Sequence, residues 1–188
     1  MPRVIAGSAR GIQLAAPEGM GTRPTADRLK EALFSVIQFE LPDSRFLDLF
    51  AGSGGAGLEA LSRGARSAVF VEKDAGAADC IRRNLEKTKL VSRGRIFVEE
   101  AEQALNRLSE EKSQFDVIFM DPPYRKGYEE QICEIIIKKG LLAEKGLMIV
   151  ESALETEFAI PEGLETEKVK KYRIAKFTLL RRNEGECE

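Results

Sequence analysis

Five short apolar segments alternate with helical segments between residues 45 and 152, and this alternation constrains the fold more than any other feature. The apolar segments are residues 45–50, 67–72, 95–100, 116–121 and 147–152. The segments between them, 57–64, 75–90, 101–112 and 128–140, have the composition and spacing of helices. Apolar strands separated by helices form a parallel sheet that is covered on both faces. The pattern therefore predicts an α/β fold.

The two ends of the chain predict additions to this core. Residues 164–172 and 173–182 are consecutive extended segments without space for a crossover helix, so they predict an antiparallel pair. A largely parallel seven-stranded sheet closed by such a pair is the layout of class I, Rossmann-like methyltransferases. Residues 3–17 predict a β-hairpin, and residues 22–41 predict a helix with Thr25 as its N-cap. We expect a single domain, residues 1–188, with residues 1–42 as an extension of a catalytic core at 43–188.

The residue types exclude several kinds of chemistry. The chain has no histidine and only three cysteines, which are far apart. This composition argues against Ser-His-Asp hydrolysis and against a zinc site, and we expect no metal. The N-terminus lacks the apolar core of a signal peptide, and no apolar run approaches the ~18 residues of a spanning helix. We therefore expect a cytoplasmic protein without a membrane partner.

Charge is distributed unevenly along a chain whose net charge is only −2. Residues 168–182 contain seven Lys or Arg and no acid, and residues 1–30 contain five Lys or Arg against two acids. Basic segments at both ends can form a surface for a polyanion, although they can equally be two solvated faces. Charge alone leaves nucleic-acid binding open.

The loop after the first strand carries glycines in the spacing G-x-G-x-x-G, at residues 52–57. Such a loop suits either a dinucleotide or S-adenosylmethionine, and Asp48 distinguishes the two. A carboxylate at the end of this strand would repel a pyrophosphate, but it would attract the ammonium and sulfonium groups of S-adenosylmethionine. Asp48 therefore favours S-adenosylmethionine. The alternative is a structural acid that is bonded to the amides of the loop.

Acids at the ends of the next two strands extend this site. Glu72 ends the second strand and can accept two ribose hydroxyls. Glu100 and Ala101 follow the third strand, where an acid and a small residue can flank adenine, although Glu99 and Glu102 are placed equally well. The residues expected to hold S-adenosylmethionine are Asp48, Phe50, Ala51, Gly52, Ser53, Gly54, Glu72, Lys73, Glu100 and Ala101.

A second motif, Asp121-Pro122-Pro123-Tyr124, follows the fourth strand. The carboxylate of Asp121 and the carbonyl of Pro122 can each accept one N–H of an exocyclic amine, while Tyr124 stacks on the ring. Hydrogen bonds of this kind localise the lone pair of the amine, and Asp121 can accept the proton that the amine loses. The motif predicts methylation of a base amine, with Asp121, Pro122 and Tyr124 as catalytic residues and Pro123 next to the substrate.

With both motifs placed, the sequence resembles the RsmD-type 16S ribosomal RNA guanine-N2 methyltransferases of bacteria over nearly its whole length. Residues 3–17 and 22–37 are similar to the N-terminal segment of that family, residues 48–65 to its cofactor loop and residues 121–124 to its catalytic motif. The N-terminal segment is the specific part, since many amino-methyltransferases share the proline motif.

The resemblance implies methylation of the 2-amino group of one guanine in 16S rRNA, with the assembled small subunit as the preferred substrate. It implies that Asp48, Gly52, Gly54 and Glu72 bind the cofactor, and that Asp121, Pro122 and Tyr124 hold the flipped guanine. It also implies that Arg10, Arg23 and Thr25 face RNA or close the cofactor site. We expect a monomer.

Other functions share parts of this pattern. A DNA adenine-N6 methyltransferase uses the same cofactor and the same motif, but it normally carries a target-recognition domain for which 188 residues leave little room. Glutamine-N5 methyltransferases usually begin the motif with Asn, where this chain has Asp121. Pyrimidine C5 methylation requires a nucleophilic thiol, and Cys133 is expected within a helix. A non-catalytic RNA-binding assembly factor and an NAD-dependent dehydrogenase are the remaining alternatives.

Overall fold

The computed structural model of the chain describes residues 2–17, 24–123 and 127–183, without the side chains of residues 24–26. The described elements, in chain order, are α1 (Pro24–Val36), β1 (Arg45–Leu49), α2 (Gly55–Ser62), β2 (Ser67–Val71), α3 (Ala75–Thr88), a short 3-10 helix (Val91–Arg93), β3 (Gly94–Phe97), α4 (Ala101–Glu110), β4 (Phe115–Met120), α5 (Tyr128–Lys138), β5 (Leu142–Ser152), β6 (Leu164–Lys171) and β7 (Lys176–Arg182). Among the described residues, no helix is long and apolar enough to cross a membrane.

The strands form one seven-stranded sheet in the order β3-β2-β1-β4-β5-β7-β6. The pairs from β3 to β5 are parallel, and β7 pairs antiparallel with both β5 and β6. The predicted parallel sheet with its closing antiparallel pair is therefore confirmed. Strand order reverses direction between β1 and β4, so the connections after these strands leave in opposite directions. A crevice opens there, at the carboxyl edge of the sheet.

Both faces of the sheet are covered, which explains why its strands are apolar throughout. Phe46, Val117 and Ile149 point to the face that also buries residues of α1, α2, α3 and the N-terminal segment. Their neighbours Leu47 and Ile118 point to the opposite face, which packs against α4 and α5. Alternate residues of one strand thus enter two separate apolar clusters, as the two-fold period of a strand requires.

The predicted N-terminal hairpin is present in an irregular form. Arg3 and Gln13 form an antiparallel bridge, and three further backbone hydrogen bonds of 2.7 to 3.0 Å join the two halves of the segment. Other backbone N–H groups of the segment bond to the helices beneath it. Ile5 and Ala6 donate to the two carboxylate oxygens of Glu59, at 2.8 and 3.0 Å. Partners so far along the chain cannot be recognised from a local pattern.

Several element boundaries also differ from the sequence-based prediction. Helix α1 begins at Pro24, so Thr25 lies inside the helix and is not its N-cap. Proline suits the first helical position because its missing N–H would have no partner there. Strand β5 begins at Leu142, five residues before the predicted start at 147, and its register against β4 shifts between Phe115 and Val117.

The last glycine of the loop motif, Gly57, is required by packing. A Cβ at Gly57 would lie 2.3 Å from Cε1 of Phe70, whose ring is fully buried under α2. A Cβ at Gly55, two residues earlier in the same helix, would contact nothing. Close approach of α2 to β2 therefore depends on Gly57.

We expect Gly57→Ala to lower the free energy of unfolding by about 1–3 kcal/mol, as overpacked cores do. Urea denaturation checks this value, with Gly55→Ala as the matched control, which should stay within about 0.5 kcal/mol of the wild type. Equal effects of the two substitutions would contradict the packing role of Gly57.

Candidate active site

A cavity of about 740 Å³ opens at the carboxyl edge of the sheet, in the crevice between β1 and β4. This volume is in the range of sites for small molecules and cofactors. The predicted site residues that line it are Asp48, Phe50, Ala51, Gly52, Ser53, Glu72, Lys73, Glu100, Ala101, Asp121, Pro122 and Pro123. Helix α1 supplies a side wall through Lys30 and Phe34, and Phe177 of β7 supplies another.

Some predicted residues lie elsewhere. Gly54 caps α2 behind the loop, where a Cβ would approach Ile81 and Phe70 at 3.2 and 3.3 Å. Arg10 is exposed on the N-terminal segment, away from the cavity lining. Arg23, Tyr124 and the side chain of Thr25 lie outside the described residues.

The glycine loop turns sharply at the floor of the cavity. Phe50, Gly52 and Gly54 have φ values of 60°, 55° and 80°, which lie in the left-handed region. Gly52 faces open space, so its backbone is accessible to a ligand. Its N–H donates to Oε2 of Glu72 at 2.7 Å, which ties the loop to the end of β2.

Asp48 is buried at the end of β1, with an exposed fraction of 1%. Its Oδ2 accepts a hydrogen bond from the N–H of Gly57 at 2.8 Å, so it does bond to a backbone amide, as the structural alternative required. It also lines the cavity. Burial raises the pKa of Asp48 to about 8, and the nearby carboxylates of Asp121 and Glu72 add to the increase. A positively charged ligand would favour the ionised form.

Glu72 is fixed in position by the backbone. Its Oε2 accepts from Gly52, and its Oε1 accepts from the N–H of Asp74 at 2.9 Å. Each oxygen keeps a lone pair for a further donor. A carboxylate held this rigidly at the cavity wall suits the vicinal hydroxyls of a ribose.

The structure narrows the choice among the acids after β3. Glu99 and Glu100 line the cavity, whereas Glu102 bonds to Gln131 away from it. Glu100 pairs with Nζ of Lys73 at 3.2 Å across the cavity mouth. Oε1 of Glu99 is buried without a hydrogen-bond partner. Glu99 and Glu100 both remain candidates for the adenine side of a cofactor.

Asp121 follows β4 directly and opens into the cavity beside the glycine loop. Solvent reaches its carboxyl group through the cavity, yet the surrounding protein removes enough water to raise its pKa to about 6. Pro122 is buried and Pro123 is exposed, so the prolines turn the chain at the cavity rim.

Glu151, at the end of β5, is a site residue that the sequence analysis missed. It lines the same cavity, and burial together with the charge of Asp121 raises its pKa to about 8. A signal was present in the sequence, because Glu151 ends an apolar strand just as Asp48 and Glu72 do. It was overlooked because nothing local marks the end of β5 as a neighbour of β4.

The charges around the cavity are complementary to a cation. Asp48, Glu72, Asp121 and Glu151 line it together. Two lysines also line it, but both have partners in the protein. Lys73 pairs with Glu100, and Nζ of Lys30 donates to the carbonyl of Arg3 at 2.7 Å and lies 3.5 Å from Glu59. The ammonium and sulfonium groups of S-adenosylmethionine fit this lining, whereas a pyrophosphate does not.

The chain is similar in sequence to known proteins over most of its length. A family model described as "Conserved hypothetical protein 95" matches residues 2–181. The chain is 37% identical over 153 residues to ribosomal RNA small subunit methyltransferase D of Escherichia coli K12, covering 81% of this chain and 75% of that protein. It is 33% identical over 177 residues to the protein of the same name from Haemophilus influenzae, covering 94% and 92%.

The fold agrees as well. The solved structure of the Escherichia coli protein yhhF matches with a TM-score of 0.85 at 33% identity, covering 96% of this chain and 97% of that one. The predicted class I methyltransferase fold is therefore confirmed.

The raised pKa of Asp48 predicts that this residue lowers the stability of the fold while it favours binding of the cofactor. An acid whose pKa is higher in the folded state destabilises the fold as pH rises from its unfolded pKa towards about 8. Asp48→Asn keeps an acceptor for Gly57 and removes this penalty. We expect it to raise the free energy of unfolding by about 1–3 kcal/mol more at pH 8 than at pH 4.

Chemical denaturation at both pH values measures this difference, and calorimetry should show weaker binding of S-adenosylmethionine to the same variant. A gain in stability that does not change with pH would contradict the assignment of a buried, protonated Asp48.

Proposed function

This chain belongs to the RsmD-type family of ribosomal RNA small subunit methyltransferases, and we propose that it methylates the 2-amino group of a guanine in 16S rRNA. The cofactor is S-adenosylmethionine, which supplies the methyl group and leaves the electron pair of the broken carbon–sulfur bond on sulfur. The observation that carries the proposal is the position of Asp121. Its carboxyl group and the adjoining prolines lie in a cavity whose other acids suit a cationic cofactor.

Each acid has a separate role in this proposal. Glu72 holds the ribose of the cofactor, and Glu99 or Glu100 lies on its adenine side. Asp48 faces the cationic end. Asp121 and the carbonyl of Pro122 accept the two N–H groups of the base amine, which localises the nitrogen lone pair.

Asp121 also receives the proton that the amine loses once the new carbon–nitrogen bond has formed. Its raised pKa makes it a stronger base than an ordinary aspartate, although it stays mostly ionised at neutral pH. Cys133 is buried in α5, and burial raises the pKa of its thiol to about 12. That thiol is unsuited to the covalent attack that pyrimidine C5 methylation requires.

The basic C-terminal segment supports an RNA substrate. Lys168, Lys171 and Arg173 are exposed on β6 and the turn that follows it. The same turn places Ile174, which is 51% exposed, in the wall of the cavity. A phosphate backbone bound along β6 would therefore lead to the cavity mouth. Such contacts can offset the few kcal/mol needed to flip a base out of structured RNA.

The direct test is methyl transfer from labelled S-adenosylmethionine to unmodified small ribosomal subunits, naked 16S rRNA and duplex DNA in parallel. We expect label in the subunits above all, recovered as N2-methylguanosine after digestion to nucleosides. N6-methyladenine in DNA would show that the substrate is DNA and not rRNA. Absence of label from all three nucleic acids would refute the proposed activity.

The role of Asp121 is tested separately from cofactor binding. We expect Asp121→Ala and Asp121→Asn to reduce transfer by about 100-fold or more, since each removes the proton acceptor. Binding of S-adenosylmethionine, measured by calorimetry, should change by less than about threefold, because Asp121 belongs to the base side of the cavity. Transfer near the wild-type rate would show that another group accepts the proton.

A further inference from the structure

Glu151 and Asp121 occupy neighbouring positions at the edge of the sheet. Strands β4 and β5 run parallel, with Met120 paired to Val150. Asp121 directly follows Met120, the last residue of β4, and Glu151 follows Val150 within β5. The two carboxyl groups therefore enter the cavity from neighbouring positions. Glu151 is half-buried, because β7 pairs with it through Phe177 on its other side.

Within the described residues, these two carboxyl groups have neither a hydrogen bond nor an ion pair, whereas every other acid that lines the cavity has at least one of them. Asp48 bonds to Gly57, and both oxygens of Glu72 bond to backbone amides. Two carboxyl groups side by side in a partly dry site repel each other. Burial raises the pKa of Asp121 to about 6, and burial together with the charge of Asp121 raises the pKa of Glu151 to about 8. N–H donors from a ligand would stabilise both carboxylates.

We propose that Glu151 selects guanine, because its carboxyl group accepts the N1–H of the base whose 2-amino group is held by Asp121. This inference rests on the proposed function and adds a specificity-determining residue to it. Guanine presents the N1–H and the two amine hydrogens side by side on one edge. The neighbouring carboxyl groups of Asp121 and Glu151 can accept hydrogen bonds from this row of donors.

The other amines that this kind of site could methylate do not match it. Adenine, cytosine and the side-chain amide of glutamine each place an acceptor atom beside the amine. That acceptor would face the carboxylate of Glu151 without a hydrogen between them, which is a repulsive contact. Sites that pair a buried polar group with a substrate N–H reject analogues that lack this hydrogen. The positive charge of the bound cofactor favours the ionised, accepting form of Glu151.

The test removes the N1–H of the substrate base and, separately, the carboxylate of Glu151. The guanosine that the wild type methylates is first located by mass spectrometry of digested rRNA. Small subunits are then reconstituted with guanine or 2-aminopurine at that position. 2-Aminopurine keeps the amine at C2, but its N1 is an acceptor without hydrogen. The kcat/KM for the two substrates is compared in the wild type, in Glu151→Gln and in Glu151→Ala.

We expect the wild type to prefer guanine over 2-aminopurine by about 10- to 100-fold, the range for a hydrogen bond to a charged group. In Glu151→Gln the preference should fall to about threefold or less, because an amide can accept from guanine or donate to 2-aminopurine. Glu151→Ala should lose the preference too. The control is Glu144→Ala, an exposed residue at the other end of β5, which should keep the wild-type preference.

Two outcomes overturn the inference. The wild type would methylate both bases equally well, or the variants at Glu151 would keep the full preference for guanine. In either case N2-methylguanosine is still formed and the proposed function stands. Failure of the proposed function itself appears earlier, as the absence of N2-methylguanosine from the wild-type product.

Discussion

The parallel pairing of β1 with β4 is the constraint on which the site depends. Parallel strands bring their carboxyl ends to one edge, and the reversal of strand order at this pair leaves that edge uncovered. Asp48, Glu72, Asp121 and Glu151 follow or end β1, β2, β4 and β5, so they meet at this crevice although 103 positions separate the first from the last. No single loop builds the cavity.

Bringing these acids together in one cavity lowers the stability of the fold, and packing in the surrounding structure offsets this loss. Burial raises the pKa of Asp48 and of Glu151 to about 8, which means that water stabilises their charges less than it does in the unfolded chain. The sheet tolerates this because apolar clusters pack on both of its faces. The carboxylates can therefore be stabilised by ligands: by a cation on the cofactor side of the cavity and by N–H donors on the base side. Polar groups left unpaired in this way are expected where function requires them.

Glu59 connects the N-terminal extension to the catalytic core. It is fully buried in α2, the helix that starts from the glycine loop. It accepts hydrogen bonds from the N-terminal backbone and from Arg63, and Lys30 of α1 lies 3.5 Å away. Since Lys30 and Phe34 form a wall of the cavity, one buried carboxylate fixes the glycine loop and the extension relative to each other. The extension is part of the site rather than an appended arm.

The sequence by itself determined the parallel sheet, its antiparallel closing pair and the acids at the ends of β1, β2 and β4, because strand period, strand ends and proline turns are local properties. Only the tertiary structure decided which strand ends are neighbours. For this reason the sequence did not indicate Glu151 as a residue of the cavity. It also could not show that Glu99 and Glu100 line the cavity while Glu102 does not, or that Gly54 lies behind the loop. The tertiary structure also decided how the N-terminal hairpin is held on the core, through hydrogen bonds with Glu59, more than 50 residues away. Pairings at such distances leave no periodic trace in the chain, since they follow from strand order and from the competition among backbone donors for buried acceptors.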